Sequence, residues 1–202
     1  MWLLALWLVA APPYRLPWQS GVDMYLTQDC SDACCDDHVD ARAFAYDWAT
    51  NAGTFTVTAA RAGTITHLKI SSHDGCDDAG CIDDANVLVI DHGDGTQATY
   101  LHLAGDSLAP GIACGAHVAQ GQPLAQAGST GWSSGVHLHF QVSATHASAA
   151  TCECGADGLA CRADTVPWPH FWPTPSYPTL PIAFAEWLDA ASCADRRLEM
   201  PR

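Results

Sequence analysis

GSTGWSSGVHLHFQVS, Gly128 to Ser143, is the stretch whose reading decides the fold. Its second half alternates strictly. Val136, Leu138, Phe140 and Val142 fall on one face of a strand, and His137, His139, Gln141 and Ser143 fall on the other. The apolar face predicts a strand whose back is buried in a core. The first half, rich in glycine and hydroxyl side chains, predicts a tight polar loop leading into that strand. Two imidazoles side by side on a rigid strand fit a metal site or a proton-transfer site. The alternative is a solvated polar face that carries two histidines.

The same period recurs upstream. In Arg42 to Ala49, Phe44, Tyr46 and Trp48 share one face while Ala45, Asp47 and Ala49 share the other, so Asp47 is either a ligand among small residues or a surface carboxylate. Leu16 to Gln28 ends in a first strand, and Gly53 to Ser71 reads as two strands around a turn at Ala62-Gly63. Asn86 to His92 and Thr96 to Leu103 flank Gly93-Asp94-Gly95, a hairpin turn of the Asp-Gly kind. In the return strand, alternation puts Tyr100 and His102 on one face, opposite Leu101 and Leu103. A short strand at Pro123 to Ala127 precedes the opening stretch. No helical period is convincing before residue 145. Short strands at close spacing predict an all-β, antiparallel sandwich or barrel.

The 202 residues allow one domain with a sizeable core. Net charge is −14 with only eight Lys and Arg, which excludes nucleic acid and an anionic membrane surface as partners. Ten cysteines in an acidic chain argue for disulfides and an oxidising compartment. Short loops, Cys76–Cys81 and Cys152–Cys161, are the pairings we expect. The rival is zinc held by Cys34-Cys35 with Cys152 and Cys154. His73 to Asp84, HDGCDDAGCIDD, reads as a disulfide-pinned polar loop and lacks the spacing of an EF-hand calcium loop.

Residues 1–15 carry an apolar run, MWLLALWLVAAPP, of signal-peptide length and too short to span a bilayer; a buried N-terminal element is the alternative. Residues 16–145 are the expected domain. Residues 146–202 form a Cys- and Pro-rich tail, with an extended wrap over Val166 to Pro181 and a short helix at Ile182 to Ala191.

His38, Asp47, His102, His137 and His139 are thus candidate ligands or catalysts on strand or strand-edge positions. Three N/O ligands with one open position are what a catalytic zinc needs. The chain has no HExxH and no nucleophile elbow, so helix-borne zincins and serine hydrolases fit poorly.

In order along the chain stand DHGDG at Asp91 to Gly95, TYLHL at Thr99 to Leu103, GQPLAQAGSTG at Gly121 to Gly131 and GVHLHFQV at Gly135 to Val142. Upstream lie AYDW at Ala45 to Trp48 and TAARAG at Thr58 to Gly63. This series resembles the lysostaphin-type zinc endopeptidases, peptidoglycan hydrolases with a LytM domain, over roughly Leu16 to Ser143. The resemblance implies the barrel-like sandwich called a duplicated hybrid motif. It implies His38, Asp47 and His139 as zinc ligands, and His102 and His137 as catalytic histidines around a zinc-activated water. Val136 stands where that family often has proline, and Gln141 where it often has an acidic residue.

The function expected from this is an extracytoplasmic, secreted or periplasmic zinc metalloendopeptidase that cuts peptide bonds in peptidoglycan stems or cross-bridges. The alternatives are a non-catalytic envelope module of the same fold, or a zinc peptidase acting on a protein.

Overall fold

The structure, a computed structural model, describes residues 13–28, 38, 42–145, 179–180 and 182–186. Where the sequence alternates, the backbone pairs. Among the described residues the strands are β1 (Tyr25–Gln28), β2 (Tyr46–Ala49), β3 (Thr56–Thr58), β4 (Gly63–Lys69), β5 (Gly75–Cys76), β6 (Val87–Asp91), β7 (Thr96–Leu101), β8 (His117–Val118), β9 (Pro123–Gln126), β10 (Gly131–Trp132) and β11 (Leu138–Ala144). Seven of them form the main sheet, in the order β1-β2-β11-β7-β6-β4-β8, with every pairing antiparallel. β3 pairs antiparallel with β9, and β10 pairs in parallel with β5. The all-β antiparallel expectation is what the chain adopts.

One face of the main sheet carries the core. Tyr46 and Trp48 of β2, Phe140 and Val142 of β11, and Tyr100 of β7 join one apolar cluster, which Val57 of β3 and Leu124 of β9 enter from the second layer. The opposite face holds a small cluster of Val87, Val89 and Leu101, with Ile82 packed on it. The polar face of β11 is therefore covered and not solvated: His139, Gln141 and Ser143 are all buried. Burial of polar side chains on this scale requires partners, and it concentrates chemistry where those partners meet.

Two local readings need correction. Gly53 to Ser71 does not form a hairpin, because β3 belongs to the small sheet while β4 pairs with β6 and β8. The chain crosses between layers there, so that Val57 and Ile65 reach the same core from different sheets. Gly63 permits the close approach: a Cβ there would sit 2.3 Å from the Asp91 carbonyl oxygen. Within β4 the register shifts between Ile65 and His67, and this bulge lets Ile65 and Leu68, three apart, both face the core.

The stretch expected as a C-terminal helix is not helical in its described part, 182–186. Phe184 bridges to Tyr14, and Ala185 donates its N–H to the Tyr14 carbonyl. Just upstream, Thr179 bridges Ser143, Leu180 N–H donates to Val142 O, and Thr179 Oγ1 accepts from the Phe44 N–H. These contacts occupy the side of β11 that β2 leaves open beyond Phe140. The remainder of the helix, most of the wrap, the N-terminal apolar run, the Cys30–Asp37 loop and the expected Cys152–Cys161 pair lie outside the described residues.

Cys76 and Cys81 are joined, as their spacing predicts, and Cys114 is disulfide-bonded too. We expect the purified, oxidised protein to show no more than two free thiols when alkylated without reductant and weighed by mass spectrometry. Alkylation at most of the ten cysteines would contradict an oxidising compartment.

Candidate metal centre

The centre is built on the pairing of β2 with β11. Its register sets Asp47 directly opposite His139, which puts their side chains on the same face within reach of one another. His139 Nδ1 lies 2.9 Å from Asp47 Oδ1, and His38 Nε2 lies 3.5 Å from Asp47 Oδ2. All three residues are buried. One potential ligand atom from each of His38, Asp47 and His139 lies within 4.8 Å of the others. No comparable grouping involves the aspartates of the His73 to Asp84 loop among the described residues.

The donor set fits a cation. His139 Nε2 donates to Gln141 Oε1 at 3.0 Å, which turns the other ring nitrogen, Nδ1, toward Asp47. An imidazole nitrogen and a carboxylate oxygen turned toward one another in a buried site are donors of the kind a zinc ion takes. An amide oxygen at Gln141 accepts this hydrogen bond as a carboxylate would, so the departure noted in the sequence leaves the tautomer of His139 unchanged.

Electrostatics point the same way. Burial pushes Asp47 up, but the surrounding imidazoles, His139 foremost, outweigh it and hold the carboxyl below the usual carboxylate range. Burial pushes His38 down to about 4, against the pull of Asp47. Both therefore present charge-matched lone pairs at neutral pH: a carboxylate and a neutral imidazole.

His102 and His137 stand beside this trio, their ring centroids 4.5 Å apart, and His137 Nε2 lies 3.7 Å from Asp47 Oδ2. His102 reaches the site by a route that alternation hides. Tyr100 points into the main core, so a regular strand would send His102 there as well. Instead His102 takes a left-handed conformation, φ 61°, and its side chain turns to the face of His139. The shared face of Tyr100 and His102 is thus a misreading. Such a backbone costs on the order of 1–3 kcal/mol and persists only where its surroundings over-determine it. Here the next carbonyl, Leu103 O, accepts from both Asn86 Nδ2 and Thr130 Oγ1, and Thr130 O accepts from His102 Nδ1 at 2.8 Å. Burial, reinforced by His137, pushes His102 down to about 3, so it is neutral with its lone pair on Nε2.

His137 is oriented by the loop before β11. Its Nδ1 donates to Gly135 O at 2.8 Å, and Ser133 Oγ lies 3.2 Å from the same nitrogen. Ser133 is itself anchored by its N–H on Cys76 O. Asn86, Thr130 and Ser133 had no sequence signal beyond lying in or near a loop of small polar residues. Two of the other described histidines stand apart from the centre: His92 Nδ1 donates to Ala62 O, and His73 meets Asp106 at the surface. The centre opens into a groove of about 500 Å³, lined also by Tyr25, Arg42, Asp77, Ile82, Trp132 and Val136.

The family model described as Peptidase family M23 matches residues 42–150, more than half of the chain. The chain belongs to this family. The match includes Asp47, His102, His137 and His139, and begins just after His38. Among solved M23-like structures, a zinc-containing peptidase from Vibrio cholerae is 26% identical over 65% of this chain, with a TM-score of 0.46. This chain spans 37% of that protein's length. The M23 metalloprotease pseudoalterin, from the deep sea, is 22% identical over 66% of this chain and 71% of its own, TM-score 0.48. The catalytic domain of the antimicrobial peptidase lysostaphin from Staphylococcus simulans is 23% identical over 68% of this chain and 81% of its own, TM-score 0.39. The family match bears out the resemblance read from the sequence. Among the described residues no helix is long and apolar enough to cross a membrane.

Proposed function

We propose that this M23 protein is an extracytoplasmic zinc metalloendopeptidase that hydrolyses peptide bonds in peptidoglycan stems or cross-bridges. The observation that carries this reading is the convergence of His38, Asp47 and His139 to within 4.8 Å, beside a second pair of histidines, in an open groove. The three would hold one zinc ion. When bound, zinc supplies Lewis-acid polarisation of the scissile carbonyl and a water of lowered pKa.

The chain's own residues do the rest. His137 donates at Nδ1 to Gly135 O, so its Nε2 is the acceptor on the side of the ligands, placed to take a proton from the attacking water. The same nitrogen then returns that proton to the leaving amine as the C–N bond breaks. His102 stands against His137 with its own Nε2 acceptor, its tautomer set by Thr130. Through that acceptor it orients the water toward the scissile carbonyl. Burial keeps both the strained His102 and the ligands rigid, so little reorganisation is needed at the moment of reaction.

The test is digestion of purified sacculi by zinc-loaded protein, with released fragments identified by mass spectrometry. The expected result is one zinc per chain and soluble fragments with new peptide termini. Intact sacculi in the presence of bound zinc would overturn the peptidoglycan assignment. A chain that binds no zinc would overturn the enzyme assignment as well.

A further inference from the structure

The three exposed large hydrophobic residues among those described are Tyr25, Trp132 and Val136, and all three line the groove of the metal centre. They come from different elements: Tyr25 from β1, Trp132 from β10, and Val136 from the loop that precedes β11. Apolar surface left in water is unremarkable when scattered. Its confinement to the walls of one groove marks a surface that is covered when the groove is filled.

Trp132 is held by a support of its own. It pairs with Cys76 in the two-residue parallel ladder of β10 with β5, and Cys76 is tied to Cys81 across the 3-10 turn at Ala79–Asp84. Lys69 Nζ donates to the Asp83 carbonyl and fixes that turn to the main sheet. Gly131, at φ 80°, lets the ladder lie directly on Ala85, where a Cβ would approach to 2.5 Å. The indole is thus mounted on a rigid wall, while the wall also places the carboxylate of Asp77 and the side chain of Ile82 on the groove.

We propose that Trp132, with Tyr25 and Val136, is the specificity-determining element of the groove. It selects peptides with an uncharged, apolar side chain beside the bond to be cut, and the Cys76–Cys81 disulfide holds it in position. The inference rests on the peptidase reading above. An apolar side chain buries the uncovered indole face on binding, which a glycine cannot do. An anionic side chain meets Asp77 and the field of a chain with net charge −14. One apolar group gained or lost in such a contact changes kcat/KM by about 10- to 200-fold.

The experiment uses the full chain loaded with zinc and the peptides Ac-Gly-Gly-X-Gly-Gly-NH2, with X as Leu, Phe, Gly or Asp. Cleavage is followed by mass spectrometry, and binding, independently, by calorimetry. We expect Leu and Phe to exceed Gly by about 10-fold or more in kcat/KM or in affinity, with Asp poorest. Trp132→Ala should keep its zinc and lose most of this preference, Trp132→Phe should keep much of it, and Cys76→Ser/Cys81→Ser should fall between them. Cleavage of all four peptides at equal rates would overturn the inference and leave the peptidase reading standing. Discrimination in binding without any cleavage would support the inference and overturn the peptidase reading. No binding and no cleavage would overturn both.

Discussion

His139→Ala is expected to lose most of its zinc, while His137→Ala keeps close to one ion per chain and turns over about 10²- to 10⁴-fold more slowly. The two residues are neighbours on one polar face, but their hydrogen bonds differ. His139 spends Nε2 on Gln141 and turns Nδ1 toward Asp47, at 2.9 Å. His137 spends Nδ1 on Gly135 O and presents Nε2 toward the groove, 3.7 Å from the same carboxylate. Removing the first leaves two protein ligands, which hold zinc poorly. Removing the second leaves His38, Asp47 and His139 in place and deletes only a proton acceptor. Asp47→Ala should behave as His139→Ala, and His102→Ala as His137→Ala. Metal analysis beside a turnover assay for the four variants decides the roles, and equal zinc loss in His137→Ala and His139→Ala would refute them.

Phe184→Ala should cost about 3–5 kcal/mol of stability, the usual range for truncating a fully buried aromatic side chain. Phe184 is 1% exposed, and its ring lies 5.4 Å from Tyr46, 5.6 Å from Trp48 and 6.1 Å from Phe140, centroid to centroid. Tyr46 and Trp48 stack parallel at 5.1 Å beneath it. These rings stand on the face of β2 and β11 opposite to Asp47 and His139, so the same substitution tests whether the tail supports the strands of the site. At about 2–4 °C per kcal/mol, the melting temperature should fall by roughly 10 °C. Urea unfolding followed by tryptophan fluorescence measures it. A loss below about 1 kcal/mol would show that Phe184 is not part of the core in solution.

The centre was legible where period-two alternation governs the backbone. Asp47 and His139 could be read off their strands because Trp48, Leu138 and Phe140 had to face the core, whereas Val136 and His137 precede β11 and Val136 is exposed. The disulfide Cys76–Cys81 was legible from its short spacing. What the pattern could not carry are departures from it. His102 sits on a left-handed residue that no alternation rule anticipates, and the bulge in β4 interrupts the period at Thr66. Nor could the pattern tell that the open edge of β11 is paired, since Thr179 and Leu180 come from a distant segment whose composition says only that it is extended. The pairing partners of β3 and β4 were misread for a related reason: a turn signal marks a change of direction, and not which strand comes next to which.

The meeting of Tyr14 with Phe184 has a consequence in time. Leu16 N–H and Glu186 Oε2, 170 residues apart, are joined at the same seam. Closing so long a loop adds little to the thermodynamic cost, which grows only with the logarithm of loop length. During synthesis, however, residues follow one another at about 5–20 per second, so Phe184 emerges on the order of ten seconds after β2. Throughout that interval the Tyr46 and Trp48 rings lack their lid, and β11, made only about 40 residues before Phe184, shows an unpaired edge beyond Phe140. A chain that closes its sheet before Phe184 is in place therefore exposes an open ring stack and an unpaired strand edge.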